Sequence, residues 1–175
     1  EQYVFKPSYN YLGRNGGNFL VGLTFESTKI VDTKNRFIDQ NLISEKEDYK
    51  AQNFYGAQFK YEFENYNSNS NPSLGLGFML HYGFRANTQQ FNDNHSFVTS
   101  KLNVVVPLVA KQNITLSSSL YGKKMIGNGY HFYQAADLGS NTYLRGFRQN
   151  RFVGESAFAH SNDINFKISD LTTGI

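Results

Sequence analysis

Four histidines, a close pair of glutamates, a serine triplet and one arginine-rich loop hold whatever chemistry this 175-residue chain could perform. His81, His95, His131 and His160 are scattered, without the His-x-His or His-x3-His spacing that puts two imidazoles on one metal. The chain has no Cys, which excludes disulfide scaffolds, thiolate zinc sites and thiol nucleophiles. Gly75-x-Gly77 and Gly127-x-Gly129 lack the rest of any phosphate-binding fingerprint. Ser117–Ser119 has no His/Asp context for a nucleophile, and Glu62 and Glu64 share a strand face without a defined pocket. No catalytic constellation, no metal and no cofactor are therefore expected. What remains is the loop RGFRQNR, Arg145–Arg151. A guanidinium drawn into a partly dehydrated space needs a carboxylate partner, because a buried unpaired charge costs several kcal/mol. Two-pronged pairing also fixes orientation, so one Arg can pin a long loop. Gly146 would let the backbone turn tightly behind it, and Phe147 would wedge against a wall. Without further context the same segment also reads as a solvated basic loop.

The elements that must position this loop are strands. From Asn18 to Ser27 the chain places Phe19, Val21, Leu23 and Phe25 on one face, with Asn18, Gly22, Thr24 and Glu26 on the other. Phe54–Phe63 repeats the alternation, and Ser73–Arg85 carries it furthest, with Leu74, Leu76, Phe78, Leu80, Tyr82 and Phe84 aligned. Phe97–Val109, Ile114–Met125, Ala157–Ile168 and Tyr3–Tyr11 complete seven predicted strands. The fold class is all-β and antiparallel.

Strands of roughly 9–11 residues match a tilted crossing of a bilayer, whereas soluble strands run nearer 5–6. The bulky face is apolar for its whole length and the other carries Gly, Lys, Glu, Gln, Asn and Arg, which is the apolar-out, polar-in pattern of a transmembrane β-barrel. Tyr3, Tyr11, Phe54, Tyr55, Phe63, Tyr82 and Phe84 are expected in the interfacial girdles. A soluble β-sandwich is the alternative, with shorter strands and more Pro in its turns. Aromatic residues make up 16% of the chain, which excludes a disordered polypeptide. Mean hydropathy is −0.50 and no apolar run is long enough for a transmembrane helix. A net charge of +3, spread over the chain, gives no reason to expect a nucleic-acid partner. No signal segment opens the chain at Glu1.

Short Tyr11–Gly17 and Leu108–Asn113 contrast with long, polar Thr28–Gln52 and Gly127–Ser156, as periplasmic turns contrast with outer loops. Glu64–Ser73 and Thr88–Ser96 are alike in length and do not discriminate. Seven strands leave two raw edges whose N–H and C=O groups cannot go unpaired in lipid. Residues 1–175 are therefore expected to be part of one larger barrel domain, with assembly from several chains as the alternative.

One segment points to a family. It carries Asp137-Leu138-Gly139-Ser140-Asn141, then Leu144-Arg145-Gly146-Phe147, then Arg151-Phe152-x-Gly154, followed by an alternating strand. In these residues the chain resembles the Omp85 superfamily, the bacterial surface antigen type of outer-membrane barrel. The motifs cover about a quarter of the chain, and the rest matches in architecture. The resemblance implies a barrel of roughly sixteen strands, the bacterial outer membrane as location, and the lipid bilayer, substrate polypeptides and accessory lipoproteins as partners. It also implies that the loop 127–156 folds into the lumen and docks Arg145 on inner-wall carboxylates. Leu144, Gly146, Phe147, Arg151, Phe152 and Gly154 complete the docking motif. By strand parity Asp163, Glu62 and Glu26 are the candidate acidic partners in this chain, although the family's main acidic partners tend to lie on later strands. Where the family carries a stretch like N-x-E-L-R, this chain has Ser161-Asn162-Asp163-Ile164-Asn165, with Asp in place of Glu and Asn where Arg stands.

The function so implied is outer-membrane protein assembly and insertion, or polypeptide translocation, without covalent chemistry. YQAADLG, RGFRQNRF and the trailing LTTGI resemble a branch often fused to a calcineurin-like metallophosphoesterase. That makes a barrel anchor for an appended enzyme the second reading, and a passive pore lined by Lys60, Glu62, Arg85 and Lys101 the third.

Overall fold

The computed structural model describes residues 1–14, 16–29, 51–89, 93–109, 114–127, 129–138, 144–148 and 151–167. The strands are β1 (Gln2–Phe5), β2 (Ser8–Leu12), β3 (Gly17–Thr28), β4 (Gln52–Tyr66) and β5 (Gly75–Asn87). They continue with β6 (His95–Pro107), β7 (Ile114–Ile126), β8 (Ala136–Leu138), β9 (Phe152–Gly154) and β10 (Ser156–Phe166). The main sheet runs β1-β3-β4-β5-β6-β7-β10 with every pairing antiparallel, and β8 and β9 form a separate small ribbon.

The stretch Tyr3–Tyr11 is one strand position broken at Pro7. Phe5 faces Phe25 and Ser8 faces Gly22, so β1 and β2 share one register along β3. The Pro7 carbonyl still accepts from the Leu23 N–H at 3.0 Å. Proline has no N–H to give, and the edge of the sheet is where that loss costs least.

Long strands keep side-chain parity over their whole length, so each residue belongs to a definite face. One face carries Tyr3, Phe5, Tyr9, Val21, Leu23, Phe25, Tyr55, Leu76, Tyr82, Phe158 and Ile164, all exposed. The other is covered in part by residues 129–138, which lie against it; this is the inner face. Phe54 belongs there: it is 2% exposed and meets His95 and His131 edge-on. The aromatic-girdle expectation fails at Phe54 because it has the opposite parity from its neighbour Tyr55.

One further expectation shifts. Strand β4 continues through Tyr66, past the Asn-rich start of the expected turn. The Asn67 side chain then closes that turn, its Oδ1 accepting from the N–H groups of Ser73 and Leu74 at 3.0 and 3.1 Å. Leu76 lies one residue from the start of β5, so it marks the rim, and Leu80 and Tyr82 hold mid-span.

Candidate functional site

The site is the connection between β7 and β10. Strand β7 ends at Ile126, and Gly127 turns the chain with φ 94°, a conformation that glycine adopts without strain. The chain then folds back over the inner wall. The Gly129 carbonyl lies 3.1 Å from His95 Nδ1, and His131 sets its ring edge against Phe54, 6.0 Å between centroids. Lys123 donates to the carbonyls of Ala135 and Gln134 at 3.0 and 3.5 Å. Beneath this arm Met125, Ala136 and Ala157 form a small core with Phe97, Tyr130 and Leu138 packed on it. Two small alanines on facing elements let the ribbon β8–β9 lie close to β10, where a larger residue would hold it off.

The motif lies beyond that ribbon. Arg145 donates from Nη1 to Asp163 Oδ1 at 2.8 Å and from Nη2 to Oδ2 at 2.9 Å. This is the planar fork on a carboxylate that only Arg can make. Asp163 lies on the inner face of β10 opposite Ser117. Gly146 takes φ 84°, and nothing lies within 4 Å of where its Cβ would be, so backbone conformation rather than space favours glycine. Leu144 is half-buried, Arg151 donates its N–H to the Arg148 carbonyl at 3.2 Å, and Gly154 faces Ala136 in the ribbon.

Phe147 packs on Phe152 of its own loop, 5.3 Å between centroids, and not on the strand wall. The hydrogen bond from the Arg151 N–H to the Arg148 carbonyl lies between the two phenylalanines and draws them together. The other two proposed acidic partners are elsewhere. Glu62 forms an ion pair with Lys60 on its own strand face. Glu26 accepts from Gln2 Nε2 at 2.9 Å and from Thr28 Oγ1 at 3.3 Å, and four strands separate β3 from β10. A loop that feeds β10 falls most readily on β10, so sequence nearness chose Asp163. Gly139–Asn141 and the trailing Ser169–Ile175 lie outside the described residues.

The inner-wall residues that hold the first arm of the loop, Phe54, His95 and Lys123, were not singled out from the sequence as a group. Their signal was parity: each is bulky or charged, faces inward and stands near the loop-bearing end of its strand. His81 sets its ring edge-on to Phe97, 5.1 Å between centroids. The structure also brings Ser118 Oγ within 3.1 Å of His160 Nε2. The pair lies on the apolar outer face, and among the described residues His160 has no carboxylate behind it, so the arrangement lacks what a nucleophilic serine needs. Among the described residues no three metal-ligating side chains converge.

An all-β antiparallel wall with a loop folded onto its inner face is the fold of part of a β-barrel. One solved structure that it resembles is described as "The crystal structure of BamA from Haemophilus ducreyi lacking POTRA domains 1-3", with a TM-score of 0.64 and 14% sequence identity. The match covers 85% of this chain and 30% of that one, so this chain spans under a third of that protein's length. At this identity the likeness is one of fold. No protein-family model matches the chain, and no curated protein does.

Proposed function

We propose that the chain is part of an outer-membrane β-barrel of Omp85 type that serves outer-membrane protein assembly, insertion or polypeptide translocation in a bacterium. Segment 127–156 is the loop that stiffens the barrel from inside, and Arg145 is its docking residue. The observation that carries this reading is the two-pronged bond from Arg145 to Asp163, which ties the LRGF motif to the inner wall. The exposed apolar outer face supports bilayer embedding, since a soluble protein rarely leaves so large an apolar surface uncovered. Bilayer lipid is then the constant partner, with substrate polypeptides and accessory lipoproteins as transient ones.

The test is reconstitution of the full-length protein in lipid vesicles with an unfolded outer-membrane protein as substrate. Folding of that substrate should be accelerated by the wild type and much less by Arg145→Ala. A wild type that gives no acceleration overturns the assembly reading. The finer reading, a barrel that anchors a metallophosphoesterase, draws on YQAADLG and RGFRQNRF. A D-x-H…GD…GNH pattern upstream in the reading frame would favour it, and tandem POTRA repeats would favour assembly.

A further inference from the structure

One row of side chains crosses the inner wall near its loop-bearing end. Thr24 faces Gly56, Gly56 faces Arg85, and Arg85 faces His95, while Lys6 extends the row at the sheet edge beside Pro7. Arg85 is 4% exposed. Its Nη1 donates to the carbonyls of Phe84 and Ala57 at 2.9 and 3.4 Å, and its guanidinium lies 5.5 Å from the centre of the Phe97 ring. No carboxylate among the described residues pairs with it. Thr24, with no exposed surface, has a hydroxyl without a hydrogen-bond partner. Gly56 is what admits the Arg: a Cβ there would stand 3.1 Å from Arg85 Cδ and collide with the Phe84 carbonyl oxygen.

Lys6, Arg85, His95 and Phe97 border a cavity of about 440 Å³, which Phe132, Tyr133 and Gln134 of the loop arm close from the other side. Its charged lining is Lys6, Arg85 and Lys123 against one carboxylate, Glu26. Glu26 is already engaged by Gln2 and Thr28, and Lys123 by two carbonyls of the loop and the nearby charge of Asp137, which leaves Arg85 and Lys6 as the cations facing the space. Three cations against one carboxylate leave positive charge in excess in a partly enclosed space, and a bound anion relieves that excess.

We propose that this cavity binds a phosphate-type oxyanion, with Arg85 and Lys6 as its charged contacts and Lys123 coupling its occupancy to the loop arm. A guanidinium and ammonium groups around one small space suit tetrahedral oxygens, which accept from several donors at once. The proposal does not depend on the assembly function, because it concerns binding alone.

The test uses the full-length barrel folded in neutral detergent, with inorganic phosphate and, separately, dihexanoyl phosphatidic acid as probes, titrated by calorimetry at constant ionic strength. Saturable binding of at least one probe is expected, weakened about tenfold or more in Lys6→Gln. Lys6 is exposed, so that variant should fold even where Arg85→Gln does not. Phosphate alone binding assigns a soluble ion, and phosphatidic acid alone a lipid headgroup. Either result supports the site when Lys6→Gln weakens it. No saturable binding of either probe, or equal affinity in wild type and Lys6→Gln, overturns the proposal.

Discussion

Arg145 and Asp163 are eighteen residues apart in the chain and share two parallel hydrogen bonds, joining a loop tip to mid-strand on β10. The loop's other attachment is separate, at Lys123 and His95 on the neighbouring wall. Two points of attachment fix a segment's orientation where one would leave it free to swing. Arg145 remains largely exposed in these 175 residues, so the bond by itself adds little stability and acts chiefly on geometry.

Replacing Arg145 with Ala in the full-length protein should lower the fraction that migrates as a heat-resistant folded barrel. Asp163→Ala should do the same, and the double variant should be no worse than the worse single one. Additive losses would show that the two residues act apart. Arg145→Lys should recover only part of the effect, since one ammonium cannot make the fork.

Depth and face should decide what a charge costs. Leu80→Arg, outward at mid-span, should destabilise the folded barrel by about 2–4 kcal/mol, and Leu76→Arg at the rim by about 0–1 kcal/mol. Gln58→Lys, inward at mid-span, should be close to neutral. Denaturant titration in lipid vesicles measures all three, and equal losses would break the assignment of faces.

Tyr66 covers Gly77 on the inner face, and its hydroxyl oxygen collides with where a Cβ would sit. Parity alone makes Gly77 a tolerant inward site, but the ring leaves no room for a side chain. Gly77→Ala should therefore destabilise, on the order of 1 kcal/mol, as overpacking does. Tyr66→Phe should relieve part of that loss, because it removes the colliding atom. A double-mutant cycle that gives no coupling would contradict this.

Lys123→Met should release the arm of the loop while leaving the strands paired. Limited proteolysis should then cut faster within residues 129–136, with heat-resistant migration kept. Unchanged cleavage would mean that His95 and Phe54 suffice to hold the arm.

The 175 residues alone should aggregate in water. Their outer face exposes Tyr3, Phe5, Val21, Leu23, Phe25, Phe158, Ile164 and Phe166, and among the described residues both edge strands offer unpaired backbone. A soluble monomer in analytical ultracentrifugation would count against the bilayer reading.

The strands and their faces were legible in the sequence because alternation is local: Phe19, Val21, Leu23 and Phe25 share a side whatever the rest of the chain does. The same parity puts Phe54 and Lys123 on the inward side. Hydrogen-bonding register and the partners of particular charges are not local. Asp163, Glu62 and Glu26 have the same parity, and only the path of the loop from β7 into β10 selects the first. Gly77 shows the same limit, because its crowding comes from a tyrosine on the neighbouring strand, eleven positions away in the chain. Residue type and alternation determine which side of a wall a group occupies; packing between strands decides what it meets there, because that depends on contacts between residues distant in sequence.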